Sequence, residues 1–124
     1  MNILVIEDEP RDRKLAAVVL ETSGHVVQER TSAEEALEAI DSVRPDLILV
    51  DVRLPGITGL ELVRQLKANP ATLGIPVVVM TAFPEIFEQQ EMLAAGCNAY
   101  LVKPLDTRTL AERIEAAAVK PDSE

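Results

Sequence analysis

Four short apolar runs along the chain each end on polar side chains. Ile3-Leu4-Val5-Ile6 runs into Glu7-Asp8, and Leu47-Ile48-Leu49-Val50 into Asp51. Val77-Val78-Val79-Met80 runs into Thr81, and Tyr100-Leu101-Val102 into Lys103. Runs this short, without polar alternation, predict strands buried on both faces. A fifth, weaker run, His25-Val26-Val27-Gln28, suits a sheet edge.

Stretches of helical period separate the runs. Pro10, tolerated in a first turn, opens a helix to about Thr22 with Leu15, Val18 and Val19 inward and Gly24 as its stop. Ser32-Ala33-Glu34-Glu35 forms a capping box for a second helix, with Ala33, Ala36, Leu37 and Ile40 on its apolar face and Pro45 at its end. Thr58-Gly59-Leu60-Glu61 is another such box; Leu60, Val63 and Leu66 point inward, and the helix ends near Asn69-Pro70. A fourth helix, from about Glu85 to Ala95, has the least regular face (Ile86, Phe87, Leu93, Ala94) and stops at Gly96. Asp106 caps a fifth, with Leu105 and Leu110 as a hydrophobic staple and Leu110, Ile114 and Ala117 inward.

Five strands alternating with five helices predict parallel strands joined by right-handed crossovers. The expected fold class is α/β, a three-layer, doubly wound, five-stranded parallel sheet. Residues 1–119 form one domain, followed by a polar C-terminal tail at 120–124.

Composition narrows the function. The net charge of −9 disfavours nucleic-acid phosphates and anionic membranes. One cysteine, Cys97, permits no intrachain disulfide, and no basic leader or long apolar run is present. A cytoplasmic setting is expected. With 2% aromatics, the core is built from Val, Ile, Leu and Ala.

If the four runs are parallel strands, their polar ends share the carboxyl edge, where open α/β sheets place their sites. Glu7, Asp8 and Asp51 against Lys103 leave excess negative charge, so some carboxylates are protonated or a cation is bound. An all-oxygen ligand set favours a hard ion such as Mg²⁺. That chemistry suggests phosphoryl transfer with Asp51 as nucleophile, forming an acyl phosphate. Asp8 and Asp51 bind the metal directly, and Glu7 acts through water. Thr81 and Lys103 contact the phosphoryl oxygens. With no base placed to activate water, a switch fits better than a fast hydrolase.

These four motifs, in this order and at these spacings, resemble a response-regulator receiver domain, and Asp51-Val52-Arg53-Leu54-Pro55-Gly56 is similar to the family's loop after the phosphorylated Asp. The resemblance spans essentially the whole chain. It implies the flavodoxin-like strand order 2-1-3-4-5, phosphorylation of Asp51 in a two-component phosphorelay, and no enzymatic activity beyond the domain's own phosphorylation and dephosphorylation. It implies a histidine kinase or phosphotransfer protein as donor and a downstream protein target. It further implies the Arg53 backbone carbonyl as a Mg²⁺ ligand, a cis Lys103-Pro104 bond, and Thr81 and Tyr100 as the switch pair. Small Ala82 leaves room for Thr81 to move. The surface of the fourth helix, fifth strand and fifth helix then changes its affinity for partners.

Two departures bear on this reading. Asn98-Ala99 lacks the paired acidic residues of receivers that dimerise to drive DNA-binding domains, and Gly96-Cys97-Asn98-Ala99-Tyr100 is more similar to stand-alone receivers. A monomer or a weak, phosphorylation-dependent dimer is expected. Arg53 is a bulky cation beside the site, expected to pair with Glu7 or to hold the phosphoryl group, so that Arg53→Ala changes the lifetime of the phosphorylated state.

Two other classes compete. A phosphatase of haloacid-dehalogenase type uses similar groups but places an acid/base Asp where Arg53 stands. A flavodoxin-like cofactor binder needs a Gly/Ser/Thr-rich phosphate loop, whereas Glu7-Asp8-Glu9-Pro10 repels phosphate. Read singly, each residue has a blander role: Asp51 a loop residue, Glu7 and Asp8 partners of a helix dipole, Lys103 a surface cation. His25 reads as a surface or edge residue, and Cys97 as a small buried one.

Overall fold

A computed structural model describes residues 1–83 and 85–118, with the side chains of Ile86 and Phe87 excepted. The elements are β1 (Asn2–Ile6), α1 (Pro10–Thr22), β2 (Val26–Arg30), α2 (Ala33–Val43), β3 (Leu47–Asp51), α3 (Gly59–Ala68), β4 (Val77–Thr81), α4 (Ile86–Ala95), β5 (Ala99–Val102) and α5 (Leu110–Ala118). All strand pairs are parallel, in the order β2-β1-β3-β4-β5. This is the three-layer, doubly wound sheet expected, with the flavodoxin-like order.

The alternation of side chains along a strand divides the core between two faces. Leu4, Ile6, Ile48, Val50, Val77 and Val79 point to the layer of α2, α3 and α4. Ile3, Val5, Leu47, Leu49, Val78 and Met80 point to α1 and α5. All twelve are buried. Each such side chain contributes about 1.5–3 kcal/mol on burial. Continuous apolar runs are therefore required, because neither face of the three central strands meets water.

Several helix faces differ from expectation. In α1, Ala16, Ala17 and Leu20 are buried while Leu15 and Val18 are 42% and 48% exposed. Small alanines let the helix lie close on the sheet, and that packing outweighs the pull of the larger side chains. In α3, Leu62 joins Val63 and Leu66 inside, and Leu60 is half-buried. In α4, Met92 is buried, whereas Leu93 and Ala94 are exposed. The rotation of α4 follows Glu88, which lies four residues before Met92 on the same stripe and faces the sheet edge. The expected inward positions Ile86 and Phe87 and the tail from Val119 lie outside the described residues.

Local signals are mostly met, with three shifts. Thr58 and Glu61 form a full capping box. At α2, Ser32 accepts from the Glu35 amide, but Glu35 reaches back to the amide and hydroxyl of Thr31 instead of Ser32. Asp106 caps a turn ahead of α5: its side chain accepts from the Arg108 amide at 2.9 Å, and its carbonyl from that of Leu110. Strand β2 starts and ends later than expected, because it follows β1 in register from Asn2 to Ile6. Polar Glu29 is tolerated there, where Arg13 and Lys14 of α1 pair with it. Among the described residues no helix is long and apolar enough to cross a membrane.

Candidate functional site

The chain leaves β1 toward β2 on one side and leaves β3 toward β4 on the other, which opens a crevice at the carboxyl ends of β1 and β3. Register brings the polar ends level there. Asp51 pairs with Met80, one residue before Thr81, and Thr81 pairs with Val102, one residue before Lys103. Four segments distant in sequence thus meet by strand pairing alone.

Glu7, Asp8 and Asp51 each present a carboxylate oxygen within 4.8 Å of the other two. Asp8 is exposed, Asp51 is nearly buried, and Glu7 is fully buried. Burial pushes the Glu7 carboxyl up to about 7, against the lowering effect of its hydrogen bonds from Lys103 and the Glu9 amide. The three carboxylates, crowded and free of sulfur or imidazole, fit a hard divalent cation.

Lys103 crosses the site from the loop after β5. Its Nζ forms a short ion pair with Glu7 and reaches Asp12 Oδ2 at 3.1 Å and Asp51 Oδ2 at 3.4 Å. Burial alone would lower the ammonium's pKa. The bonds to Glu7 and Asp12, with the charge of Asp51, outweigh it and hold the group above the usual lysine range. The peptide bond to Pro104 is cis. Asp12, two residues into α1 after Pro10, was not anticipated. Its signal was an acidic side chain in a first helical turn directly after the acidic cluster.

Thr81 is fully buried. Its hydroxyl donates to Glu88 Oε1 at 3.2 Å and accepts from the Phe83 amide at 3.0 Å. Tyr100 also donates to Glu88 Oε1, at 3.1 Å. Arg53 does not pair with Glu7, as one expectation had it. Its guanidinium reaches Glu88 Oε2 at 3.2 Å and lies 4.8 Å over the Phe83 ring, because Lys103 already occupies Glu7. The Arg53 amide donates to Asp51 Oδ1 at 3.3 Å, tying the loop to the carboxylate that precedes it. Glu88 was the second unanticipated residue; no spacing in the sequence links it to Tyr100 or Arg53.

Glycine at position 59 is required by close approach. A Cβ there would lie 2.5 Å from the Asp51 carbonyl oxygen and 2.8 Å from Val52 Cα. His25 lies away from the site, between the Met1 ammonium and Glu115. Cys97 is buried, its thiol pushed up by desolvation, and takes no part.

Comparison with known proteins agrees with this geometry. Residues 3–115 match the response regulator receiver domain. The chain is 38% identical to the phosphate regulon transcriptional regulatory protein PhoB of Pseudomonas aeruginosa over 93% of its own length, but spans only 50% of that protein. It is 33% identical to the polar-differentiation response regulator DivK of Brucella anthropi, covering 93% of this chain and 94% of that one. Among solved structures, a response regulator of Chloroflexus aurantiacus described as putative superposes with a TM-score of 0.91 at 31% identity, covering 96% of this chain and 98% of that one. The chemotaxis response regulator CheY4 of Vibrio cholerae gives 0.87 at 27%, covering 94% and 97%. With its acidic crevice, its strand order and a match over nearly its whole length, the chain belongs to the response regulator receiver domain family.

Proposed function

We propose that this receiver domain takes a phosphoryl group on Asp51 in a Mg²⁺-dependent reaction and thereby changes its affinity for protein partners. The observation that carries the reading is the convergence of Asp51, Lys103 and the three-carboxylate cluster at one crevice. Asp8, Asp51 and the Arg53 backbone carbonyl would hold the ion, with Glu7 acting through water. When bound, Mg²⁺ supplies positive charge that shields the incoming phosphoryl oxygens from the carboxylates.

The chain's own groups do the rest. A carboxylate oxygen of Asp51 attacks phosphorus; the bond from phosphorus to the donor's oxygen or nitrogen breaks, and its electron pair leaves with the donor. Lys103 is already within reach of Asp51 and can give its ammonium to a phosphoryl oxygen, exchanging one anionic partner for another. Thr81 supplies the second donor once its hydroxyl turns from α4. On this reading the chemistry is the domain's own phosphorylation and dephosphorylation. The acid/base position of a haloacid-dehalogenase enzyme is held by Arg53, an obligate cation engaged with Glu88.

A histidine kinase or phosphotransfer protein would be the donor. The output would pass through α4, β5 and α5, where Leu93 and Val102 are exposed, as is Phe83 in the segment after β4. Intact mass after incubation with acetyl phosphate, with and without Mg²⁺, tests the reading. A single phosphoryl addition that requires Mg²⁺ and disappears in Asp51→Asn is expected. A wild type that binds Mg²⁺ but gains no mass overturns it.

A further inference from the structure

The Glu88 carboxylate gathers three groups from three other segments. Its Oε1 accepts from the Thr81 hydroxyl and the Tyr100 phenol, and its Oε2 pairs with the Arg53 guanidinium. Thr81 ends β4, Tyr100 belongs to β5, and Arg53 lies in the loop after β3. The Glu88 side chain is 19% exposed, so water screens these bonds only in part. A hydroxyl has one proton to donate. Thr81 cannot give it to Glu88 and to a phosphoryl oxygen at once, so the bond to α4 must break before Thr81 serves at Asp51.

We propose that Glu88 is a positioning residue that holds Thr81, Tyr100 and Arg53 in their unphosphorylated arrangement and so sets the threshold for the switch. This rests on phosphorylation of Asp51 as proposed above. Because Oε1 accepts both bonds, Thr81 and Tyr100 share one acceptor, and release of either is felt by the other. Arg53 fixes the carboxylate from its other oxygen, so the acceptor does not follow Thr81 when it moves. A Gln at 88 keeps an oxygen able to accept from both hydroxyls but turns an amide toward Arg53; an Ala removes all three ties. Burial, then the bond and charge of Glu88, raise the Tyr100 phenol's pKa.

The chain has one tyrosine and no tryptophan, so its intrinsic emission reports Tyr100 alone. The experiment measures acetyl phosphate labelling of Asp51 and Tyr100 emission in wild type, Glu88→Gln and Glu88→Ala. Glu88→Ala is expected to be labelled roughly three- to tenfold faster, the range for loss of one ordinary hydrogen bond, because partial exposure screens the carboxylate's charge. Its emission without donor should move toward that of the phosphorylated wild type, with Glu88→Gln between the two. Labelling of Glu88→Ala at or below the wild-type rate, or emission unchanged from wild type, overturns the proposal. A wild type that takes no phosphoryl group overturns the function itself and this proposal with it; a labelled wild type with an unaltered Glu88→Ala overturns this proposal alone.

Discussion

Lys103 and Glu7, 96 positions apart in sequence, form a buried ion pair beneath the exposed Asp8. The pair leaves Glu7 hard to ionise even so, because the carboxyl is fully buried and Asp51 adds a like charge.

That balance predicts how the metal-free protein responds to pH. The Glu7 carboxyl titrates at about 7 in the fold against 4.5 when solvated. Between these values the native state holds more protons than the unfolded one. Stability therefore falls as pH rises from 4.5 to about 7. A divalent cation at the cluster opposes this by displacing the proton, so Mg²⁺ affinity should rise through the same window. Calorimetric titration in two buffers of different ionisation enthalpy should detect proton release near pH 6; equal heats would count against the shift.

Removing the cation of the pair leaves Glu7 buried without it. Lys103→Ala is expected to cost about 1–3 kcal/mol, limited by the ability of Glu7 to take up a proton. The loss should be larger at pH 8 than at pH 5, where Glu7 is already neutral. Urea denaturation at the two pH values checks this, and a loss independent of pH would contradict it.

Gly59 carries a steric prediction. Gly59→Ala drives a methyl against the Asp51 carbonyl and Val52 Cα, both backbone atoms that cannot swing aside. A loss of about 1–3 kcal/mol is expected. Labelling of Asp51 by acetyl phosphate should slow as the strand end shifts. An unaltered melting curve would show that the loop gives way freely.

Arg53 joins the loop after β3 to the loop after β4 through Phe83 and joins both to α4 through Glu88. Arg53→Ala loosens the two loops that flank Asp51, giving water readier access to an acyl phosphate there. Dephosphorylation should quicken severalfold, read by intact mass over time. An unchanged rate would remove Arg53 from any control of the phosphorylated lifetime.

Sequence alone determined the layers of this protein and which polar strand ends share one edge of its sheet. Short apolar runs with polar ends, alternating with amphipathic helices, read as buried parallel strands, and parallel pairing sets Glu7, Asp8, Asp51, Thr81 and Lys103 along one edge because every strand points the same way. The cap at Thr58 and the stop at Gly96 were legible because their chemistry is local. The tertiary structure decided what depends on distance between elements. It turned Ala16 and Ala17 inward in place of Leu15 and Val18, since close helix-sheet packing selects small side chains. It brought Asp12 to Lys103 and Glu88 to Thr81, Tyr100 and Arg53. Periodicity within one helix says which residues share a stripe; only packing against the sheet sets where that stripe points, and so which distant hydroxyl or cation a lone carboxylate meets.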